Sequence, residues 1–230
     1  MTVLLHLDAS ARGSRSISRH LSQLFVDRWL KERPHDRVIR RDLARDPPPY
    51  VTEDWIAACF AQPEARDPRM RAVLDWSDRA IAELEAADIL VMGIPMYNYG
   101  MPGALKAWFD QVIRVGRTFS FDLGRGDWPL EPMLSGKRLV VLSARGEFGF
   151  GPGGVRQDWN HLDPHIATCA RYLGVAGEAI ETVVVEYQEF GDSRHARSRA
   201  EADERTTALA GRLAREAETL RMTKESQSSA

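Results

Sequence analysis

The sequence predicts an α/β domain in which a parallel sheet is covered by helices on both faces. Short runs rich in Val, Ile and Leu alternate with longer amphipathic stretches along the chain, the pattern of repeated strand–helix units. Residues 88–94 and 139–143 are apolar almost without interruption, as strands buried on both faces must be. The length of 230 residues suits a single domain of this class with a sizeable core.

The first strand is expected over residues 3–7. Ile17, Leu21, Leu24 and Phe25 then recur at helical spacing and mark a helix to about residue 31. Residues 37–41, Arg-Val-Ile-Arg-Arg, make a more polar strand suited to a sheet edge. Pro47, Pro48 and Pro49 force an extended loop, and residues 53–60 form a short helix. Asp67-Pro68 signals the next helix start, with Met70, Val73, Leu74, Ser77, Ile81 and Leu84 as its buried stripe. After the strand over 88–94, Leu105, Trp108, Phe109, Val112 and Ile113 define another helix. Residues 118–129 carry turn chemistry at Asp122, Gly124 and Gly126 and predict a hairpin-like excursion. The strand over 139–143 is followed by a helix over 162–173, a strand over 180–186 and a last helix over 196–221. Residues 1–222 are thus expected to form one domain, and 223–230 a polar, disordered tail. Right-handed crossovers and five strands of this length fit a flavodoxin-like three-layer fold with strand order 2-1-3-4-5.

A formal charge of −2 offers no basic excess for nucleic acid and no polybasic stretch for anionic lipid. No apolar run reaches the roughly 18 residues of a membrane span. The N-terminal apolar run is short and lacks a basic leader, which reads as a buried strand rather than a signal peptide. Cys59 and Cys169 belong to no Cys-x-x-Cys or Cys/His cluster, so no metal is expected. Both are read as reduced, half-buried thiols of a cytoplasmic protein.

The turn after the first strand runs Asp8-Ala9-Ser10-Ala11-Arg12-Gly13-Ser14-Arg15-Ser16-Ile17-Ser18. It concentrates serines and arginines where a helix begins, and a helix N-terminus offers free N–H groups and a positive dipole end. The spacing matches neither GxGxxG nor GxxxxGK[ST]. One serine here would be read as a helix cap; the cluster, in this place, points to a phosphate. Gly149–Gly154 superficially suggests a glycine loop, but its Pro152 and the lack of a helix directly behind it read as a mobile connector.

The third strand runs out into Pro95-Met96-Tyr97-Asn98-Tyr99-Gly100-Met101-Pro102. Ligands of open α/β sheets bind beyond the carboxyl ends of the strands. A thioether, two phenols and an amide on one proline-framed loop suit a flat heteroaromatic with a polar rim. Taken singly, Met96, Tyr97 and Tyr99 could each be core. No Ser/His/Asp set, carboxylate pair or metal cluster is spaced for catalysis, and none of these side chains is assigned as a catalytic group. His6 lies within the first strand and reads as a sheet residue; His161 and His165, flanking Pro164, read as local structure.

Pro-Met-Tyr-Asn-Tyr, then Leu105-Lys106-x-Trp108-Phe109-Asp110, then Arg114-Val115-Gly116-Arg117-Thr118-Phe119 resembles the signature of the FMN-dependent NADH-azoreductase and NADH:quinone oxidoreductase family. The likeness begins at the first strand, with Ser10 and the Ser16-x-Ser18 spacing, and continues through the last strand. It implies a flavodoxin-like fold, bound FMN and a homodimer with sites at the subunit interface. It also implies ping-pong transfer of two electrons from NADH or NADPH, with a lean to NADH, to quinones and azo compounds. On this likeness Ser10, Ser16, Ile17 and Ser18 would hold the phosphate. Met96, Tyr97, Asn98 and Tyr99 would hold the ring, together with Ser143, Ala144, Arg145 and Gly146, where relatives often show Ser-Arg-Gly-Gly and Ala144 departs from that pattern. Phe121 would reach the substrate of the partner subunit, and Val175, often aromatic in relatives, would enlarge the acceptor pocket. Two other readings stand beside the enzyme: a flavodoxin-type electron carrier, which the near-neutral charge disfavours, and a flavin-dependent binding module.

Overall fold

The computed structural model describes residues 1–228, with side chains through Thr219. The chain runs β1 (Val3–Asp8), α1 (Ile17–Glu32), β2 (Arg37–Asp42), α2 (Glu53–Phe60), α3 (Pro68–Ala86), β3 (Ile89–Pro95) and α4 (Gly103–Val112). It continues through β4 (Phe119–Phe121), β5 (Leu130–Pro132), β6 (Lys137–Ala144), α5 (Asp163–Ala170), β7 (Val175–Val185) and α6 (Ser193–Ser228). Five strands pair in parallel in the order β2-β1-β3-β6-β7, while β4 and β5 form a separate antiparallel hairpin. Leaving the hairpin out of the count, this is the expected 2-1-3-4-5.

Strand side chains alternate between faces, and the sequence supplies an apolar residue to both. Leu4, Val91, Val140, Leu142 and Val183 face α1 and α6, where they meet Leu21, Phe25, Trp29, Ala210 and Leu213. Leu5, Leu7, Leu90, Met92, Leu139 and Val141 face α3, α4 and α5, where they meet Ile81, Leu84, Trp108, Phe109 and Ile166. Each such side chain, fully buried, contributes on the order of 1.5–3 kcal/mol.

Helix starts follow the sequence. Asp67 caps α3 by accepting the Met70 N–H at 2.8 Å, with Pro68 in the first turn. The far end of α3 is closed by Lys137, whose Nζ donates to the carbonyls of Ala87 (2.5 Å) and Glu85 (3.1 Å). Burial lowers the pKa of that ammonium, against the pull of Asp88 and Glu85.

Some elements differ from expectation. β7 starts at Val175, not at 180, because its register against β6 slips between Lys137 and Leu139. The extra residues include Gly177, a poor strand former that hides the strand in the sequence. The helix expected over 162–173 ends at Ala170 and tightens into a 3₁₀ turn over Arg171–Leu173. Cys59 is fully buried and Cys169 partly so; both are free, and burial raises both thiol pKa values. The backbone of α6 is helical through Ser228, past the point where a tail over 223–230 was expected. Residues 229–230 lie outside the described residues.

Candidate cofactor site

β1, β3 and β6 lie side by side, and their carboxyl ends release three loops along one edge of the sheet. The chain leaves β1 for β2 on one side and reaches β3 on the other, which makes this edge the switch point where such sheets bind ligands.

The first loop leads into α1. Ser16 is the N-cap, its hydroxyl oxygen accepting the Arg19 N–H at 3.3 Å. Capping and phosphate binding are compatible here: the cap uses an acceptor lone pair and leaves the hydroxyl proton to be donated. Ser18 Oγ lies 3.3 Å from Ser16 Oγ, and both residues are buried. Ile17 opens the helix, where the first N–H groups have no partner inside it. Ser10 is buried too and accepts the Arg12 N–H at 3.2 Å. Arg12, Ser14 and Arg15 point to solvent.

Beneath this loop sits a charged brace that the sequence does not announce. Arg19 donates two hydrogen bonds to the Ser10 carbonyl (3.1 and 2.7 Å) and two to Asp42 (2.7 and 2.6 Å). Asp8 accepts from Ser22 Oγ at 2.8 Å and lies 3.6 Å from Arg19 and 3.5 Å from His6. Burial would raise the Asp42 pKa; the Arg19 hydrogen bond and charge, with the N–H groups of Arg45 and Ala44, together outweigh it and hold the carboxyl below the ordinary range. His6 is 3% exposed, a sheet residue as its position predicts.

The second loop follows β3. Tyr97 and Gly100 exchange both backbone hydrogen bonds at 3.0 Å around Asn98 (φ 45°) and Tyr99 (φ 66°). A two-residue turn with positive φ at both positions favours Asn and Gly; a tyrosine there is strained, and such strain gathers at functional sites. Tyr97 and Tyr99 are 38% and 40% exposed, so neither is core; Met96 is half-buried and does pack on the core. The Tyr97 hydroxyl accepts the Ala11 N–H at 3.1 Å, which joins the ring loop to the serine loop.

The third loop follows β6. The Met96 N–H donates to the Ala144 carbonyl at 2.9 Å, setting the second and third loops side by side. Ser143 is fully buried, and its hydroxyl has no partner among the described residues. The Arg145 side chain turns inward, 2% exposed, to donate to both carboxylate oxygens of Asp163 (2.8 and 2.6 Å). Gly146 packs directly against the Glu189 carboxylate. The Gly149–Gly154 stretch is anchored rather than a free connector: Glu186 accepts the N–H groups of Gly149 (3.1 Å) and Phe150 (3.4 Å), and Phe150 is 3% exposed.

A buried hydroxyl pair at a helix N-terminus, tied by a phenol to exposed aromatics on the neighbouring loop, fits an elongated group with a phosphate at one end and a flat ring at the other. The family model described as a flavodoxin-like fold matches residues 2–209. An FMN-dependent NADH:quinone oxidoreductase of Idiomarina loihiensis is 46% identical over 93% of this chain and 91% of its own length. The chain belongs to this flavodoxin-like oxidoreductase family. A second relative of the same name, from Colwellia psychrerythraea, is 48% identical over 88% of this chain and 94% of its own. An FMN-dependent NADH-azoreductase from Bacillus anthracis str. Ames Ancestor, solved in complex with FMN, superposes with a TM-score of 0.81 over 93% of this chain and 100% of its own; at 18% identity this likeness concerns the fold.

Two expected site residues of this family member lie away from the three loops. Val175 opens β7 opposite Lys137, at the amino end of the sheet, and is 2% exposed within the core. Within one chain the structure does not bring Val175 to the three loops. Phe121 is 52% exposed on the β4–β5 hairpin. That hairpin packs beside Tyr172 through Phe119 (ring centroids 5.7 Å apart) and so also stands toward the amino end. Within one chain the structure does not bring Phe121 to the ring loop. Sequence reasoning missed Arg19, Asp42 and Glu186, because their partners lie far off in the chain and no local pattern marks them.

Proposed function

We propose that this chain is an FMN-dependent NAD(P)H:quinone oxidoreductase that also reduces azo compounds, working as a single-domain homodimer. The observation that carries the reading is the Tyr97 hydroxyl on the Ala11 N–H, which makes a phosphate cradle and an aromatic loop one continuous site. The names of the relatives at 46% and 48% identity support the same reaction. Free thiols at Cys59 and Cys169 suit a reducing compartment, and we place the enzyme in the cytoplasm.

Bound FMN would supply two-electron chemistry, accepting from the nicotinamide nucleotide and then donating to the quinone or azo acceptor in separate half-reactions. Ser10, Ser16 and Ser18 would donate hydroxyl protons to its phosphate, and the backbone at Ile17 would add the positive end of α1. Arg19 positions this cradle by gripping the Ser10 carbonyl and Asp42. Met96, Tyr97 and Tyr99 would contact the ring and Asn98 its polar rim. The backbone from Ser143 through Ala144 and Arg145 to Gly146 would line the opposite edge, with Arg145 as its support: the guanidinium is committed to Asp163 and the N–H to the Val185 carbonyl. N–H groups near Gly146 would stabilise negative charge at that edge by fixed dipoles. Phe121 of a second copy would close the acceptor side and exclude water.

Visible spectra of the protein reconstituted with FMN test this. Yellow protein that bleaches with anaerobic NADH and recolours with a quinone is the expected result. Failure to retain FMN removes the site argument, and binding without bleaching leaves only an electron carrier.

A further inference from the structure

One large aromatic beside the ring loop has no role in the reading above. Trp159 ends the 3₁₀ turn Gln157–Trp159, is 54% exposed, and stands edge-on to Tyr99 with ring centroids 5.6 Å apart and planes at 76°. Phe150 backs Tyr99 from below at 6.3 Å.

An exposed tryptophan on a loose loop would mean little, but this loop is pinned on every side. Asn160 Nδ2 donates to the Phe150 carbonyl at 3.1 Å and to Asp163 at 2.8 Å, while Asn160 Oδ1 accepts the N–H groups of Leu162 (3.2 Å) and Asp163 (3.1 Å). The His161 N–H donates to the Tyr99 carbonyl at 3.0 Å. Asp163 is held by the buried Arg145, whose guanidinium also lies 5.5 Å from the Phe150 ring centroid. Trp159 is therefore presented at a fixed place beside Tyr99, with its surface left to solvent. A rigid, half-exposed aromatic costs little entropy to use as a stacking surface.

We propose that Trp159 is a specificity-determining residue for the acceptor: with Tyr99 it forms an aromatic corner that selects fused-ring quinones over single-ring ones. The inference rests on the quinone reading of the site. A single-ring acceptor is covered by the ring loop alone; a second fused ring extends past Tyr99 and gains the Trp159 surface. No electron or proton passes through Trp159, and its contribution is to binding.

The test uses the full chain loaded with FMN and two probes, 1,4-naphthoquinone and 1,4-benzoquinone. Trp159→Ala lowers kcat/KM for the naphthoquinone by about 10-fold relative to the benzoquinone, the size of one lost aromatic contact, and the loss falls in KM. Trp159→Phe restores most of the ratio. The naphthoquinone Kd on oxidised protein, read by calorimetry, rises by the same factor in Trp159→Ala, and FMN content is unchanged. An unchanged ratio with an unchanged Kd overturns the proposal. Loss of FMN or of the dimer in Trp159→Phe overturns it too, by making Trp159 a cofactor or interface residue. If the parent protein fails to oxidise NADH with either quinone, the functional reading falls, and the naphthoquinone Kd compared with a benzoquinone Kd read the same way still decides whether the corner prefers a fused ring.

Discussion

A Cβ on Gly93 would lie 2.3 Å from Asp8 Oδ1, 2.9 Å from Ser22 Oγ and 3.0 Å from the Ser18 carbonyl. Only glycine lets α1 approach β3 closely enough to keep Ser16 and Ser18 at the sheet edge. Gly93→Ala should cost about 1–3 kcal/mol in urea unfolding and weaken FMN binding, with no change at Tyr97. Asp36 illustrates a different residue-level effect. Its side chain is 4% exposed, and it accepts from Arg33 Nε (2.5 Å), the Thr2 N–H (2.8 Å) and Trp29 Nε1 (3.1 Å). Burial alone would raise its pKa; the three donors outweigh it and hold the carboxyl below its ordinary range. A carboxylate depressed in the folded state stabilises the fold fully above its unfolded value and loses that contribution as pH falls through the folded one. Stability measured by denaturant should thus fall below about pH 4, and Asp36→Asn should flatten part of that fall.

At the scale of elements, the third loop leans on the ion pair between buried Arg145 and the partly exposed Asp163. Asp163→Asn leaves the Arg145 guanidinium with only the Glu186 carboxylate, 3.9 Å away, and should cost about 1–3 kcal/mol. Limited proteolysis should then cut within 149–161 sooner, while β1 and α1 keep their protection. The same region shows why part of the site was legible in the sequence and part was not. Strand β3 and the loop after it follow from a continuous apolar run meeting two prolines, which is local information. The anchoring of Gly149 is not local, since its acceptor Glu186 lies 37 positions away. Arg145 sits where the family signature suggests a cofactor contact, yet nothing in the residue type says which way its guanidinium turns. The place of Val175 in the sheet was hidden for a related reason: Gly177 interrupts the start of β7, so the sequence showed no strand there to put it on.

For the molecule as a whole, the β4–β5 excursion is the feature a lone chain does not explain. Arg114, buried between Ser77 and Asp78, and Thr118, bonded to Val112 and Arg114, fix its base. Gly116, at φ 74°, makes the turn that launches it. Phe121, Leu123, Trp128, Leu130 and Met133 all project from it, between 41% and 80% exposed. Such a grouping of exposed apolar side chains marks an interaction surface, and the homodimer proposed above assigns it a second copy. Sedimentation should show a dimer, and Trp128→Asp should shift it toward monomer. Quinone turnover should fall with it, although Trp128 lies far from the ring loop of its own chain.

The packing of α1 against α6 also governs how the chain comes off the ribosome. Leu21, Phe25 and Trp29 are sheltered by Ala210 and Leu213, which are synthesised roughly 180 residues later. Translation at 5–20 residues per second leaves that apolar stripe uncovered for roughly 10–35 s. The β strands, by contrast, are delivered in an order that lets the sheet grow outward from β1. A nascent chain can therefore hold its sheet and its cofactor loops before α6 exists, yet stays sticky along one flank. Stalled or prematurely terminated chains should accordingly be clients of chaperones that grip exposed helices.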